Sequence, residues 1–272
     1  MQTRDGFELL ARFGYVARGA VYVLVAALAL FSSFGSEEAS SSGALSSLLG
    51  QPFGQLALWA IAVGLLGHVA WRLAQSLLNA DGQDRDLMGY GARAGQLLSA
   101  VTHGFLAVTA ASLALGNGGG SGGDREDGLV AAVMQLPFGN ILVGAVGLGI
   151  IAAGIGQGYY GFSGRFKKRL RLPQQHEKLL SGICVYGLAA RGVVFAIIGG
   201  FVVFAAVNVN PERAGTLPEA LDWVLGLPFG AQLYWLVGLG LLAFAGYCFI
   251  QARYRRVDAP SASEVKEAVP GT

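Results

Sequence analysis

Apolar residues in this chain gather into six long runs separated by polar or glycine-rich stretches. The runs are Phe13 to Phe34, Leu56 to Leu78, Leu97 to Leu115, Ile141 to Tyr160, Ile183 to Val207 and Leu233 to Ile250. Each approaches the roughly 20 residues that a helix needs to cross a hydrocarbon core of about 30 Å. Between paired runs lie shorter apolar patterns. Counted back from a proline, positions minus seven, minus four and minus three are Leu45, Leu48 and Leu49, then Val130, Val133 and Met134, then Leu221, Val224 and Leu225. That spacing is one face of a helix. It predicts short amphipathic helices over Ala44 to Leu49, Leu129 to Gln135 and Ala220 to Leu225, lying in the outer interface of the membrane.

The pattern repeats three times. Gly14-Tyr15-Val16-Ala17-Arg18-Gly19-Ala20-Val21-Tyr22 returns, diverged, as Gly95 to His103 and again as Gly187 to Phe195, and each copy is followed by Pro-Phe-Gly at 52–54, 137–139 and 228–230. The sequence therefore predicts an all-α membrane protein of six transmembrane helices, arranged as three tandem hairpins over 4–79, 86–171 and 173–256. Residues 257–272 are expected to be a disordered polar tail. An even number of spans per repeat gives all three the same orientation, so a ring of them has its pseudo-threefold axis along the membrane normal. Gly64 and Gly67, then Gly144, Gly147, Gly149, Gly154 and Gly158, then Gly238, Gly240 and Gly246 read as helix packing surfaces.

Composition agrees. With 53% hydrophobic and 13% charged residues and a mean hydropathy of +0.52, the chain is too apolar for an ordinary soluble protein. Of 19 basic residues, all but Arg125 and Arg213 fall on one side of the predicted topology, leaving 17 there. The positive-inside tendency then puts both termini in the cytoplasm. The first run is long enough to span and its exit at Ser32 and Ser33 lacks a cleavage site, so it is expected to stay in the mature protein. Cys184 and Cys248 fall on the reducing side and are read as unpaired small hydrophobes.

The triplicated two-helix unit, with Gly-Tyr-Val-Ala-Arg-Gly in the first copy, Ala-Ala-Arg-Gly in the third and Pro-Phe-Gly between paired helices, resembles the bacterial membrane family called domain of unknown function 1206. The resemblance spans nearly all of the chain except the tail. It implies three helical pairs in a bacterial inner membrane and supplies no activity or catalytic residues. The second copy departs from it, with Ser99 where the others have arginine.

Arg18 and Arg191 are the sharpest candidates for function. One reading lets them snorkel to inner headgroups. The other turns them towards the protein interior, because Gly14, Arg18 and Tyr22 share a helix face, as do Gly95, Ser99 and His103, and Gly187, Arg191 and Phe195. If the repeats surround an axis, Arg18, Ser99 and Arg191 converge on a polar, anion-attracting site with Tyr22, His103 and Phe195 one turn deeper. His68 and His103 are further intramembrane polar candidates, read either as neutral hydrogen-bonded histidines or as a proton relay. No carboxylate joins them inside the membrane, so no metal site and no cofactor is predicted. The basic run of Arg165, Lys167, Lys168, Arg169 and Arg171 reads as a topology determinant or as a site for anionic headgroups. Nucleic-acid binding has no supporting fold.

Two motifs are decoys. Gly119 to Gly123 satisfies G-x-S-x-G, and Gly118, Gly120 and Gly123 satisfy G-x-G-x-x-G, but both belong to a Gly/Ser linker that neither follows a strand nor opens a defined helix. No other enzyme signature stands out, and the chain is not expected to be an enzyme. The expected function is a conduit or transporter for an anion or small solute. The alternative is an accessory or scaffold protein that packs lipids or partner subunits.

Overall fold

A computed structural model of the chain describes residues 2–31, 41–84, 86–116, 132–210 and 217–256, and in it the six apolar runs are six helices. The elements are α1 (Gln2–Phe31), α2 (Ser41–Ser46), α3 (Gly54–Leu77), α4 (Leu87–Ala114), α5 (Gly139–Phe162), α6 (Glu177–Asn208), α7 (Leu217–Leu225) and α8 (Gly230–Tyr254). The six long ones have the length and apolarity to cross a membrane. No strand occurs among the described residues, only an isolated antiparallel bridge between Leu170 and Arg255. Three helices start well before their apolar runs, α1 at Gln2, α4 at Leu87 and α6 at Glu177. At α4 the Asp86 carboxylate accepts the Gly89 N–H at 2.7 Å and caps the helix.

Each Pro-Phe-Gly is a sharp corner with one backbone geometry. Phe53, Phe138 and Phe229 all take left-handed conformations, with φ of 62°, 63° and 61°. That costs a bulky L-residue about 1–2 kcal/mol. The glycine that follows is sterically required, because a Cβ at Gly54, Gly139 or Gly230 would collide with the carbonyl oxygen of Leu48, Val133 or Leu225. The preceding segments are only partly as the apolar spacing predicts. The first is helical to Ser46 and then turns, so Ala44 and Leu45 are buried while Leu49 is exposed. In the second, 129–131 lie outside the described residues and 132–134 are helical. The third is helical from Leu217, and Leu221 and Val224 are buried in it.

Packing runs in chain order around a ring. Helix α1 packs on α3, α3 on α4, α5 on α6, α6 on α8 and α8 on α1. The remaining neighbours, α4 and α5, are the two helices of the second repeat, and they do not pack extensively on each other. Only 33% and 22% of the residues in their apolar windows are buried, against 39% to 56% for the other four. The tightest joint lies between the second and third repeats, where Gly147 and Gly154 of α5 meet Gly199 and Gly192 of α6. A Cβ at Gly154 would come within 2.5 Å of the Gly192 carbonyl oxygen, and one at Gly192 within 2.6 Å of that of Gly154. Small residues let the backbones touch, as membrane helices require in the absence of a hydrophobic drive.

The ends are joined by arginines at one repeat position. Arg12 donates to the carbonyls of Ala252 and Arg253 at 2.6 and 3.0 Å, closing the C-terminus of α8. Arg93, 81 residues on, donates to those of Ser76 and Leu77 at 2.6 and 3.2 Å and closes α3. Helix C-termini leave carbonyls unpaired and attract cations, so both arginines serve as caps.

Candidate functional site: two arginine clusters at the basic end

The same end of the bundle holds an arginine cluster with a carboxylate and another without one. In the first, Asp81 lies in the short α3–α4 connection. Arg255 donates to both of its oxygens at 3.0 Å, Arg169 pairs with it, and Gln75 and Gln96 donate to Oδ2 at 2.6 and 3.3 Å. Backbone bonds reinforce this clasp. The Arg171 N–H donates to the Tyr254 carbonyl at 2.8 Å and the Arg256 N–H to that of Arg169 at 3.0 Å. Arg255 also lies 5.6 Å from the Tyr15 ring and 5.9 Å from the Trp71 ring, and the Trp71 Nε1–H donates to the Tyr15 hydroxyl at 2.7 Å. Burial alone would lower the Arg255 pKa, but Tyr15 and the Asp81 carboxylate outweigh it and raise the value, keeping the guanidinium charged.

The second cluster lies within the membrane-spanning segments. Arg18 of α1 is 4% exposed and its Nε has no hydrogen-bond partner among the described residues. Its guanidinium is 5.0 Å from the Phe244 ring and 5.8 Å from that of Tyr22. Arg191 of α6 converges on the same two rings, at 4.8 Å from Phe244 and 5.7 Å from Tyr22, and sits 4.1 Å over Phe195. It donates from Nε to the Tyr22 hydroxyl at 2.8 Å and from an η nitrogen to Gln157 Oε1 at 2.5 Å. Neither arginine has a carboxylate partner among the described residues. Both face the interior rather than snorkelling outward.

Beside them the two candidate histidines meet, with ring centroids 4.8 Å apart. The Ser99 carbonyl, which can only accept, lies 2.8 Å from His103 Nδ1 and so places a hydrogen there. Arg72 Nε, which can only donate, lies 3.3 Å from His68 Nε2, which puts the neutral ring's hydrogen on a buried, unpartnered Nδ1. Arg72 also donates to Gln75 Oε1 at 3.1 Å. A hydrogen-bonded line of side chains thus runs from His68 through Arg72 and Gln75 to Asp81. Ser99 does not join the arginines, since its hydroxyl lies 3.5 Å from His103 Nδ1 on its own helix.

The basic run is largely committed to neighbours. Arg169 belongs to the clasp, Lys167 pairs with Glu177 at 2.9 Å and Arg165 stacks 5.0 Å over Tyr159. Lys168 and Arg171 are exposed. Both cysteines are free and buried in the apolar cluster under the clasp. Among the described residues no group of three or more His, Cys, Asp or Glu is placed to hold a metal.

The family model described as Domain of Unknown Function (DUF1206) matches residues 13–79, 94–164 and 186–255. The chain belongs to this family. An uncharacterized protein, YxxB of Bacillus subtilis (strain 168), is 29% identical over 263 residues, covering 94% of each chain. No solved structure matches. The three DUF1206 segments begin at Phe13, Ala94 and Tyr186, which keep the same spacing to Arg18, Ser99 and Arg191, so these three occupy one repeat position. Asp81, Arg72, Phe244 and Gln157 are site residues that sequence reasoning missed. Gln157 had a signal, a lone amide inside an apolar run. So did Asp81, a carboxylate in a short connection on the basic side.

Proposed function

We propose that this protein is a transport protein of the bacterial inner membrane, with the clasp end in the cytoplasm, whose cargo carries an anionic group held by Arg18 and Arg191. The observation that carries the reading is the convergence of two guanidiniums on Tyr22 and Phe244 with no carboxylate among the described residues. Burying a charge in a medium of low dielectric costs several kcal/mol unless it is paired. Cation–π contact returns about 2 kcal/mol per well-placed ring. The remainder is supplied when an anion arrives, and Arg191 and the Nε of Arg18 offer the donors. The proposal includes no chemical change to the cargo.

The accessory or scaffold reading draws on a different observation, the clasp that ties 169–171 to 254–256 at the basic end. Reconstitution separates the two. Proteoliposomes are assayed for flux of chloride, phosphate and a short carboxylate, and for movement of a fluorescent phosphatidate between leaflets. Transport of any of these, lost in Arg18→Gln/Arg191→Gln, supports the proposal. Wild-type protein that moves none of them leaves the scaffold.

A further inference from the structure

The two outer repeats close their hairpins with the same pair of contacts, and the middle repeat leaves both unmade. In the first repeat a Cβ at Gly14 would overlap the backbone of His68 on α3, and one at Gly64 would meet the Ala17 methyl at 2.5 Å. In the third, Gly187 abuts Phe244 and Gly240 abuts Ala190 in the same way. The equivalent pairs in the second repeat are Gly95 with Ala153 and Leu98 with Gly149. A Cβ at Gly95 or Gly149 would meet nothing within 4 Å, and Leu98 is 58% exposed. The opening is built into the sequence. Leu98 replaces the alanine of the other two crossings, where not even one more carbon fits on the facing glycine.

Polar side chains lie on the two helices that border this opening. His103 is on α4, and Gln157 on α5 accepts directly from Arg191. Exposed Leu98 and Phe105 of α4 and Leu142 and Val146 of α5 make both borders mainly apolar, with exposed Thr102 between them on α4. An opening with apolar borders, beside the Gln157 that holds Arg191 and near guanidiniums that lack a carboxylate partner among the described residues, fits a molecule with an acyl chain and an acidic head.

Resting on the reading of Arg18 and Arg191 as an anion site, we infer that the cargo is an anionic phospholipid, which reaches the arginines sideways between α4 and α5. Its phosphate lies against the guanidiniums and its chains remain in the opening.

The test uses the full chain in phosphatidylcholine nanodiscs doped with photoreactive phosphatidate or, separately, photoreactive phosphatidylcholine, with adducts mapped by mass spectrometry. Phosphatidate should label the facing sides of α4 and α5. Arg18→Gln/Arg191→Gln should lower that labelling about tenfold, as expected for loss of charge-assisted bonds. Gly95→Trp, which fills open space, should lower it while preserving any stabilisation by soluble phosphate. Equal labelling by both lipids, or phosphatidate labelling indifferent to either variant, overturns the inference. If soluble phosphate still stabilises wild type but not the arginine variant, the anion site stands and only the lateral route fails. If phosphate has no effect either, both readings fall.

Discussion

Arg255 and Arg18 are both buried guanidiniums near the same end of one bundle, and their surroundings differ in one respect. Arg255 and Arg169 share Asp81, which also receives Gln75 and Gln96. Arg18 and Arg191 share only aromatic rings, a tyrosine hydroxyl and an amide. A charge that meets its counter-charge within the fold is accounted for by structure. One that does not leaves donor capacity for something from outside. The first cluster locks the loops; the second is the place to look for function.

The comparison breaks most readily at Asp81. Asp81→Asn strips the counter-charge from two guanidiniums and should lower stability in detergent by about 3–5 kcal/mol, read from thermal or denaturant unfolding. Arg18→Gln should cost far less, because it removes an unpaired charge along with its contacts. Equal losses for the two variants would erase the distinction between the clusters. A smaller effect separates the repeats. Gly187→Leu should cost about 1–3 kcal/mol or more by overpacking against Phe244. Gly95→Leu should be neutral or slightly stabilising, as leucine is the better helix former by roughly 0.8 kcal/mol. Smaller again, Trp71→Phe removes the hydrogen bond to Tyr15 beneath Arg255 and should cost about 1 kcal/mol in the same unfolding experiment. At the Pro-Phe-Gly corner, Phe53→Asn should gain several tenths of a kcal/mol, because asparagine tolerates the left-handed conformation that phenylalanine is forced into there.

The helices were legible because their signals are local and redundant, with six apolar runs and three copies of one motif. The faces of Arg18 and Arg191 were legible too, since helical spacing groups each arginine with a glycine and an aromatic residue. Asp81 was not. Its role depends on two connections and a C-terminal segment meeting in space, and no spacing along the chain encodes that meeting. Ser99 shows the opposite error. Repeat equivalence put it with the arginines, but its short side chain reaches only His103, one turn along its own helix. The opening at the second repeat was written in the sequence as Leu98 for alanine. It became readable only once Ala17 and Ala190 were seen pressed against glycines.

The central claim is that Arg18 and Arg191 hold an anion that the fold itself does not provide. Its most direct test is thermal unfolding of the purified protein in a neutral detergent, titrated with phosphate at constant ionic strength. Ligand binding to the native state raises stability by about 1.4 kcal/mol for each tenfold excess over the dissociation constant. Wild type should gain stability with that logarithmic dependence on phosphate, and Arg18→Gln/Arg191→Gln should lose the gain while remaining folded. An identical phosphate response in the double variant, or none in wild type, would contradict the account.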